Sequence, residues 1–421
     1  RVMETPLKMD VKDVQRDWIV GFSGEAFSSL VREQAARFAA NDAVAERGVL
    51  LAESDPIRFS TAFFAGLSLG VPLILANPKW GSAEWAALSG LVNPAMIVGN
   101  VPMDTTTREG VHHPLPGQIL IPTGGTTGGV KLAIHDWASL LAATRGLHDF
   151  LGGDPIHSSC LLPLHHVSGL MQLVRAFSTG GQIRFDEAVT AGYCVSLVPT
   201  QLQRSLSDAA AVERLRVARA VFVGGAALPE ALAAEARKAH LPIVQVYGMT
   251  ETAAMIAAVP AEDFLNRDAP GAVPLGEAKI GVDSDGGIRV RTPALFQGYH
   301  GREPIDLAEG FCTGDRGYLD ERGGLHVLGR MDRLINTGGE KVDPAEVEQA
   351  LLQIEAIEAA QVVGEPDEEW GEVVVAYLQS QSSLDTENIR QRLKEVLSPH
   401  KVPKRFKQVE AISACQAKSV G

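Results

Sequence analysis

Ile121-Pro-Thr-Gly-Gly-Thr-Thr-Gly-Gly-Val-Lys131 is the segment of this 421-residue chain that says most about its fold and its function. Glycines let the backbone turn sharply and bring its N–H groups close to an anion. The threonine hydroxyls add donors, and Lys131 adds a mobile positive charge. An apolar run, residues 118–121, precedes the segment, and a helical pattern begins near residues 136–137. The pattern predicts a phosphate-binding loop between a strand and a helix.

The spacing of this segment differs from those of two common nucleotide-binding motifs. The nucleotide-hydrolase loop requires glycine, four residues and then Gly-Lys-Ser/Thr, whereas here Val130 separates Gly129 from Lys131. The dinucleotide fingerprint Gly-x-Gly-x-x-Gly is absent from the loop as well. A flexible surface turn with an incidental lysine is the alternative interpretation, and the rest of the sequence decides between the two.

The composition predicts a soluble enzyme of at least two domains. A chain of 421 residues exceeds what one hydrophobic core usually serves. Its 45% hydrophobic and 21% charged residues are ordinary for a globular enzyme. The formal charge of −13 argues against nucleic acid or an anionic membrane as the main partner, although a local basic pocket can still hold ATP.

The cysteines and the first residues favour a cytoplasmic protein. No C-x-x-C pair is present, so neither a zinc site nor a disulfide framework is predicted. The first six residues do not resemble a signal peptide. The most apolar stretch, residues 61–77, contains Gly66, Gly70 and Pro72. It therefore predicts a buried helix, turn and strand rather than a membrane span. The scattered cysteines are Cys160, Cys194, Cys312 and Cys415.

Two patterns along the chain predict an α/β fold with a large N-terminal domain, residues 1–331. Up to about residue 250, strand-sized apolar runs alternate with helix-length segments, which is typical of βαβ units in mostly parallel sheets. From about residue 276, glycine-rich turns separate short strands and indicate an antiparallel subdomain within the large domain.

A small α+β domain, residues 332–421, follows a boundary near Asp332. Its first helix is predicted to start with Asp343 as the N-cap, Pro344 in the first turn and Glu346 closing a capping box. The module is of a size that can fold alone. Its other predicted elements are strands at 359–363 and 373–378, a helix at 385–397 and a final strand.

Short motifs follow two strands of the large domain. Tyr247 offers a flat face for an adenine base, and Glu251 offers an oxygen ligand for magnesium. The small residues at 224–226 would let a flat ring lie against the backbone. Each motif also has a purely structural interpretation, as a strand end with a capping threonine or as a tight turn.

Three further positions carry polar chemistry. Asp315, on a Thr-Gly-Asp turn, is suited to accept hydrogen bonds from ribose hydroxyls. Arg330 is either a nucleotide contact or a structural salt-bridge partner. His165 and His166 do not predict a metal site, because adjacent histidines on a strand point in different directions and no third ligand is spaced nearby.

Taken in order, these motifs resemble those of the acyl-adenylate-forming superfamily, which includes acyl- and aryl-CoA ligases, firefly-luciferase-like enzymes and adenylation domains. Three details resemble the o-succinylbenzoate–CoA ligase branch of the menaquinone and phylloquinone pathways, especially its cyanobacterial form. They are the Thr-Gly-Gly-Thr-Thr-Gly loop and the segments 131–137 and 196–202. The superfamily motifs lie at residues 123–131, 163–169, 224–226, 247–251, 313–315, 329–332 and 338–339.

The resemblance implies two half-reactions. A carboxylate attacks the α-phosphorus of ATP to give acyl-AMP and pyrophosphate, and the thiol of coenzyme A then displaces AMP to form a thioester. Fixed donors and cations suit both steps, because negative charge develops on phosphate or carbonyl oxygens. The resemblance places Glu251 on Mg²⁺. It assigns ATP or AMP binding to Thr123, Gly124, Gly125, Thr126, Thr127, Lys131, Gly224, Gly225, Ala226, Tyr247, Gly248, Thr250, Asp315 and Arg330.

The resemblance also assigns the small domain two tasks. Lys418 would contact the carboxylate and the α-phosphate during adenylation; the alternative is a terminal lysine without a fixed position. The domain would then rotate about a hinge at Asp332 and present Gly338 and Gly339 to coenzyme A. The departures from the superfamily pattern are Gly124 for serine, Val130 for proline and Ala417 for glycine.

The acid pocket is implied to lie beside His166, which is also assigned to catalysis. o-Succinylbenzoate has a second carboxylate that does not react, and an arginine suits its recognition. Arg204 is the candidate, with Ser168 and Gln172 assisting. The alternative interpretation places Arg204 on the solvated face of a helix.

The expected function is therefore ATP-dependent synthesis of o-succinylbenzoyl-CoA, with Mg²⁺ as cofactor and coenzyme A as co-substrate. Three alternatives stay open: another aryl- or acyl-CoA ligase, a stand-alone adenylation domain, or a catalytically impaired nucleotide-binding relative. The expected partners are small molecules, with no nucleic acid and no membrane span, and a homo-oligomer is left open.

Overall fold

The computed structural model of the chain forms two compact units. One comprises Arg1–Ile280, Val290–Phe311 and Leu319–Leu325, and the other comprises Gly281–Arg289, Cys312–Tyr318 and His326–Gly421. The domain limits 1–331 and 332–421 stay a prediction, because the hinge residue Asp332 lies outside the described residues. The structure describes residues 11–106, 110–124, 130–186, 188–266, 271–331, 334–337, 340–367, 370–409 and 412.

Five strands form the first sheet: β1 (Val49–Leu51), β2 (Leu73–Leu75), β3 (Met96–Val98), β4 (Ile119–Gly124) and β5 (Val130–His135). Their order is β3-β1-β2-β4-β5. The first four pair in parallel, and β5 runs antiparallel to β4. Strands β1 and β2 are buried at every residue, which explains why their sequences are continuous apolar runs rather than alternating ones.

Five helices belong to this part of the chain: α1 (Gly24–Ala39), α2 (Val44–Arg47), α3 (Pro56–Leu69), α4 (Ser82–Leu91) and α5 (Trp137–Phe150). Helix α3 starts where the Asp55 carboxylate accepts a hydrogen bond from the Arg58 N–H, and it ends at the left-handed Gly70. The apolar stretch 61–77 is thus a buried helix, turn and strand, as predicted. Among the described residues, no helix combines the length and apolar character needed to cross a membrane.

The phosphate-loop segment connects two strands, and the prediction that it lies between a strand and a helix is wrong. Thr123 pairs with Lys131 and Gly124 with Val130 across an antiparallel ladder. Helix α5 does begin at Trp137 with Asp136 as its N-cap, but strand β5 intervenes. Strand β5 therefore separates the loop segment from the N-terminus of helix α5.

Seven strands form the second sheet: β6 (Ser158–Ser159), β7 (Ile183–Arg184), β8 (Cys194–Leu197), β9 (Ala220–Val223), β10 (Ile243–Met249), β11 (Ala254–Val259) and β12 (Val273–Pro274). Their order is β12-β11-β10-β9-β8-β6-β7. The five strands from β10 to β7 pair in parallel, whereas β11 and β12 pair antiparallel. The predicted α/β class with mostly parallel sheets is confirmed. The accompanying helices are α6 (Val167–Ser178), α7 (Pro199–Leu206), α8 (Ala209–Arg216), α9 (Glu230–Lys238) and α10 (Ala261–Leu265).

Helix α6 is anchored at its C-terminal end in the aromatic core. The Phe177 ring lies 5.4 Å from that of Trp18 and 4.7 Å from that of Phe64, measured between centroids. The Arg16 guanidinium donates to the carbonyls of Ala176 and Phe177, which are among the unsatisfied acceptors at the end of the helix. These contacts fix the position of α6, which carries several of the predicted acid-site residues.

A third sheet has four strands in the order β13-β14-β15-β16. They are β13 (Lys279–Val282), β14 (Gly287–Arg291), β15 (Phe311–Leu319) and β16 (Leu325–Arg330). Consecutive strands are neighbours, and tight glycine turns join the first pair and the last pair, at residues 283–286 and 320–324. The predicted subdomain of short strands and glycine turns is confirmed.

The C-terminal part of the chain is an α+β module with its own apolar core. Its helix α11 has Asp343 as N-cap and Pro344 in the first turn, as predicted. The predicted capping box is wrong: both Glu346 carboxylate oxygens lie 2.7 Å from Lys401 Nζ instead. The elements are β17 (Ile335–Thr337), β18 (Glu340–Val342), α11 (Pro344–Leu352), β19 (Ala359–Asp367), β20 (Gly371–Gln379), α12 (Thr386–Val396) and β21 (Arg405–Val409).

Candidate functional site

A carboxylate, a phenol and an ammonium group meet beside the glycine loop. The Tyr299 hydroxyl donates a hydrogen bond of 2.7 Å to Glu251 Oε1, and the Glu251 side chain is buried, at 7% exposure. Lys131 Nζ lies 5.6 Å from the centroid of the Tyr299 ring, within range of a cation–π interaction. Thr123 is the cross-strand partner of Lys131. Tyr299 thus contacts both Lys131, which follows the loop segment, and Glu251, the predicted magnesium ligand.

Glu251 is held by a rigid turn at the end of β10. Thr252 Oγ1 accepts from the Met249 N–H and donates to the Ala254 carbonyl, while the Glu251 carbonyl accepts from the Phe296 N–H. Ala253 and Ala254 have φ angles of 50° and 78°, which cost strain in residues other than glycine. Such strain persists only where the surrounding contacts fix the backbone, so the position of the Glu251 carboxylate is strongly determined.

A buried histidine supports the same turn from the side of β5. His135 Nε2 lies 2.7 Å from the Thr250 carbonyl oxygen, and His135 Nδ1 lies 3.0 Å from Ser139 Oγ. Burial lowers the pKa of His135 to about 4, so the ring is neutral at physiological pH. A neutral ring with Nε2–H donates to the Thr250 carbonyl, which links the loop strand to the Glu251 turn.

The donor set at Glu251 fits Mg²⁺ bound together with a nucleotide. Magnesium is usually held by one or two carboxylates, phosphate oxygens and water rather than by a complete protein cage. Among the described residues, no group of three histidine, cysteine, aspartate or glutamate side chains could hold a metal ion by itself. One buried carboxylate is therefore compatible with a magnesium site of this kind, and the assignment of Glu251 to Mg²⁺ stays a prediction.

Glycines at the ends of β9 and β10 keep the backbone of this sheet edge open. These parallel strands are neighbours, so residues 224–226 and 247–250 follow adjacent carboxyl ends, where ligands bind in open α/β sheets. A Cβ on Gly248 would lie 1.7 Å from the Ala254 carbonyl oxygen, and Gly225 has a left-handed φ of 79°. The roles of Tyr247, Gly224, Gly225, Ala226, Gly248 and Thr250 in ATP or AMP binding stay predictions.

Asp315 and Arg330 lie together in the second compact unit. Arg330 Nη1 is 3.6 Å from Asp315 Oδ1 and donates to the Thr313 carbonyl at 3.2 Å. Asp315 is buried. The arginine is thus a salt-bridge partner of the aspartate in this structure, and the prediction that both residues bind ribose is compatible with that contact.

Helix α6 presents polar side chains that the sequence motifs predict only in part. His166 is its N-cap and is exposed, and Ser168 and Gln172 follow one turn apart on one face. The next position on that face is Arg175, which is not among the residues predicted to bind the acid. Its spacing from Ser168 and Gln172, i+7 and i+3, was the available signal.

Arg175 is a buried cation with an unsatisfied donor. The residue is 2% exposed, and its Nε finds no hydrogen-bond partner among the described residues. Gln172 Oε1 is also without a partner there, and this side chain is 2% exposed. Burial lowers the pKa of Arg175 to about 10, so the guanidinium is still charged at neutral pH. Buried unsatisfied polar atoms are rare in native proteins and call for a partner.

Arg204, the predicted acid ligand, is exposed on the last turns of α7. This position agrees with the alternative interpretation of a solvated helix face, and the assignment of Arg204 to the acid stays a prediction. Several other predicted residues lie outside the described residues: Gly125, Thr126, Thr127, Asp332, Gly338, Gly339, Ala417 and Lys418.

The fold and this site define an AMP-binding enzyme. The family described as AMP-binding enzyme matches residues 117–300, and the family described as AMP-binding enzyme C-terminal domain matches residues 346–416. The chain belongs to the AMP-binding enzyme family, which confirms the resemblance drawn from the motifs.

This chain is similar to a named member of the family. The 2-succinylbenzoate–CoA ligase of Enterococcus faecalis is 34% identical over 309 residues, which cover 68% of this chain and 64% of that protein. The chain thus aligns with somewhat less than two thirds of the length of this curated relative.

Solved structures of similar proteins show the same fold. The o-succinylbenzoate CoA synthetase of Bacillus subtilis in complex with the acyl-adenylate intermediate OSB-AMP is 24% identical, with a TM-score of 0.77 over 94% of this chain and 91% of that one. Its complex with ATP and magnesium ion has a TM-score of 0.76, over 94% and 93%. The Escherichia coli MenE with a bound phenylether-linked analogue of OSB-AMS is 26% identical, with a TM-score of 0.77 over 94% and 92%.

Proposed function

We propose that this protein activates o-succinylbenzoate with ATP and transfers the acyl group to coenzyme A. The observation that carries the proposal is the buried, unsatisfied pair of Gln172 and Arg175 on α6, in a chain whose relatives are 2-succinylbenzoate–CoA ligases. The acid has two carboxylates, so a pocket for it needs a fixed cation besides the adenylation machinery. A charged guanidinium whose hydrogen-bonding capacity is not filled by the protein provides that cation.

In the first half-reaction, the reacting carboxylate attacks the α-phosphorus of ATP and pyrophosphate leaves. Thr123 and Lys131 flank the loop that holds the β- and γ-phosphates, and Lys131 contributes positive charge to them. Glu251 would hold Mg²⁺, which neutralises charge that develops on the phosphate oxygens. The hydrogen bond from Tyr299 and the strained turn fix the Glu251 carboxylate before the substrate arrives.

The acid lies along α6 in this proposal. His166, exposed at the N-terminal end of the helix, borders the reacting carboxylate, and Arg175 pairs with the second carboxylate. Gln172 donates through Nε2 to the Ser168 carbonyl at 3.1 Å, so its Oε1 is left to accept from a ligand or a bound water. An acid with one carboxylate would leave the buried guanidinium uncompensated and bind weakly.

The second half-reaction and the domain motion are further parts of the proposal. The small domain, residues 332–421, supplies Lys418 for adenylation, rotates about Asp332 and then presents Gly338 and Gly339 to coenzyme A. The thiol attacks the acyl carbonyl, AMP leaves and the thiol proton passes to solvent. A cytoplasmic location belongs to the proposal as well, since ATP and coenzyme A are its co-substrates, and the oligomeric state is to be measured by light scattering.

The test is acid-dependent pyrophosphate release over a panel of acids, followed by mass analysis of the thioester. The proposal predicts release with o-succinylbenzoate and formation of o-succinylbenzoyl-CoA. Preference for benzoate, cinnamate or a fatty acid would identify a different CoA ligase. Pyrophosphate release without a CoA thioester would favour an adenylation domain that loads a carrier protein. ATP binding without release would indicate an impaired relative.

A further inference from the structure

His165 has a buried ring nitrogen that the protein leaves unsatisfied. The residue is 7% exposed, and Nε2 has no hydrogen-bond partner among the described residues. The ring lies 4.5 Å from that of His166, measured between centroids. It therefore stands next to the residue that borders the reacting carboxylate in the proposed function. A backbone bond from the His166 N–H to the Pro163 carbonyl fixes the chain at this point.

The unsatisfied atom belongs to a cluster along the sequence. Of the nine buried side-chain atoms without a partner in the described part of the chain, three lie within residues 165–175. They are His165 Nε2, Gln172 Oε1 and Arg175 Nε, and each belongs to a side chain more than nine-tenths buried. Buried polar groups that the protein leaves without partners are the kind of groups that fix the orientation of a ligand in a binding site.

The protonation state of His165 decides what kind of group it can bind. The pKa of His165 is lowered to about 4. Burial is the main cause, and the positive charges of His166 and Lys79 lower the pKa further. The ring is therefore neutral at physiological pH and has one N–H and one lone pair. A neutral N–H suits an uncharged acceptor, whereas the charged guanidinium of Arg175 suits a carboxylate.

We propose that His165 determines specificity in the acid pocket by donating a hydrogen bond from Nε2 to an uncharged carbonyl oxygen of the substrate. The inference rests on the proposed function and adds a feature to it. o-Succinylbenzoate has three oxygen-bearing groups: the reacting carboxylate, the aromatic carboxylate and a ketone between them. The first belongs to the adenylation site and the second to Arg175, so the ketone is the group left for a neutral donor.

The test compares two acids and three proteins. The acids are o-succinylbenzoate and its deoxo analogue, in which a methylene replaces the ketone. The proteins are the wild type, H165F, which keeps an aromatic ring but has no N–H, and H165Q, whose amide places a donor near the position of Nε2. H148F is the control, since His148 lies in the last turn of α5 and outside this cluster. KM and kcat are measured separately from pyrophosphate release, and the melting temperature of each variant is recorded.

The wild type is expected to prefer the keto acid roughly 10- to 100-fold in kcat/KM, which is the range for a buried hydrogen bond left unmade. H165F should lose this preference mainly through a higher KM for the keto acid, and H165Q should keep much of it. H148F should retain the wild-type preference. The preference for the keto acid is also measured in the wild type and in H165Q. These two measurements do not depend on H165F, so they test the inference even if H165F folds poorly.

Three results would overturn the inference alone: no wild-type preference between the two acids, equal losses for both acids in H165F, or no discrimination by a folded H165Q. In each of these cases adenylation of o-succinylbenzoate still occurs, and His165 is a structural residue. If the wild type releases no pyrophosphate with either acid, the proposed function itself fails and the inference fails with it. The two failures are therefore distinguishable in one assay.

Discussion

Replacing Arg175 with methionine should make the free protein more stable and make it a poor enzyme for a dicarboxylic acid. The guanidinium is 2% exposed and its Nε is unsatisfied among the described residues. At pH 7 the residue is charged in both the folded and the unfolded chain, but the folded protein holds the proton less tightly. The fall of its pKa from the usual value to about 10 corresponds to roughly 3 kcal/mol of destabilisation.

Methionine has a similar length and no charge, so R175M removes that cost and keeps much of the packing. Part of the gain is offset by imperfect packing, and a net stabilisation of about 1–2 kcal/mol is expected. For a chain of 421 residues, whose entropy of unfolding is about 0.9 kcal/mol/K, this corresponds to a rise in melting temperature of roughly 1–2 °C. Differential scanning fluorimetry without ligands measures it.

The catalytic effect has the opposite sign. Truncating one member of a buried, hydrogen-bonded charge pair costs about 2–5 kcal/mol, so kcat/KM for o-succinylbenzoate should fall roughly 30-fold or more. The loss should appear mainly in KM, and an aromatic monocarboxylate should be affected far less. R204A is the matched comparison, because Arg204 is exposed on α7.

Two outcomes would refute this reasoning. If R175M lowers the melting temperature and leaves the ratio of dicarboxylate to monocarboxylate activity unchanged, Arg175 is a structural residue of the core. If R204A, and not R175M, abolishes the preference for the dicarboxylate, the arginine predicted from the sequence is the ligand. A more stable but less selective R175M supports the proposal in both respects.

Three more predictions concern described residues, and a fourth concerns the hinge predicted from the sequence. Y299F removes the donor 2.7 Å from Glu251 Oε1 and should lower ATP–pyrophosphate exchange roughly 10- to 100-fold while raising the Mg²⁺ concentration needed, and an unchanged Mg²⁺ dependence would contradict the site. G248A places a Cβ 1.7 Å from the Ala254 carbonyl oxygen and should abolish ATP binding or folding, whereas G90A, which meets no atom within 4 Å, should be stable; a wild-type G248A would be inconsistent with this strand end. Because the pKa of His135 is lowered to about 4, stability that is present above pH 6.5 should be lost as the pH falls towards 4, and H135N should show a flatter melting-temperature profile between these values. D332P should impair one half-reaction much more than the other in single-turnover assays, and equal losses would argue against a hinge at this residue.

The sequence predicted the fold class well because strand-sized apolar runs and glycine turns are local signals. Residues 220–223 and 243–246, which are mostly apolar, form neighbouring parallel strands. The sequence does not predict strand β5, since Val130–His135 follows directly on a glycine-rich segment and the expected element after that segment is a helix. The capping box failed for a different reason: Lys401, 55 residues away in the sequence, binds the Glu346 carboxylate.

The acid site shows most clearly what a sequence pattern leaves out. Arg175 stands after Leu173 and Val174 and before Ala176, so its surroundings read as an apolar helix face. Arg204 stands among polar residues, and such surroundings favoured it as a ligand of the acid. The same polar surroundings are typical of a solvent-exposed helix face, and Arg204 is exposed. Burial separates these two arginines, and it arises from tertiary packing. Lys418 and the hinge depend on residues outside the described part of the chain and stay predictions.

The hairpin that carries the glycine loop has a consequence for how such loops tolerate insertions and deletions. Side chains on a strand alternate between its faces, so an extra residue within 125–129 changes only the length of the loop, and Thr123 and Lys131 keep their faces. One extra residue between Lys131 and the bridge from Ala133 to Tyr299 would turn the ammonium group to the opposite side of the sheet, away from the Tyr299 ring. The face of the sheet on which Lys131 lies is thus set by its position in the strand and not by the number of glycines before it. Alignments of distant relatives should therefore match the alternating positions of this strand rather than the glycines.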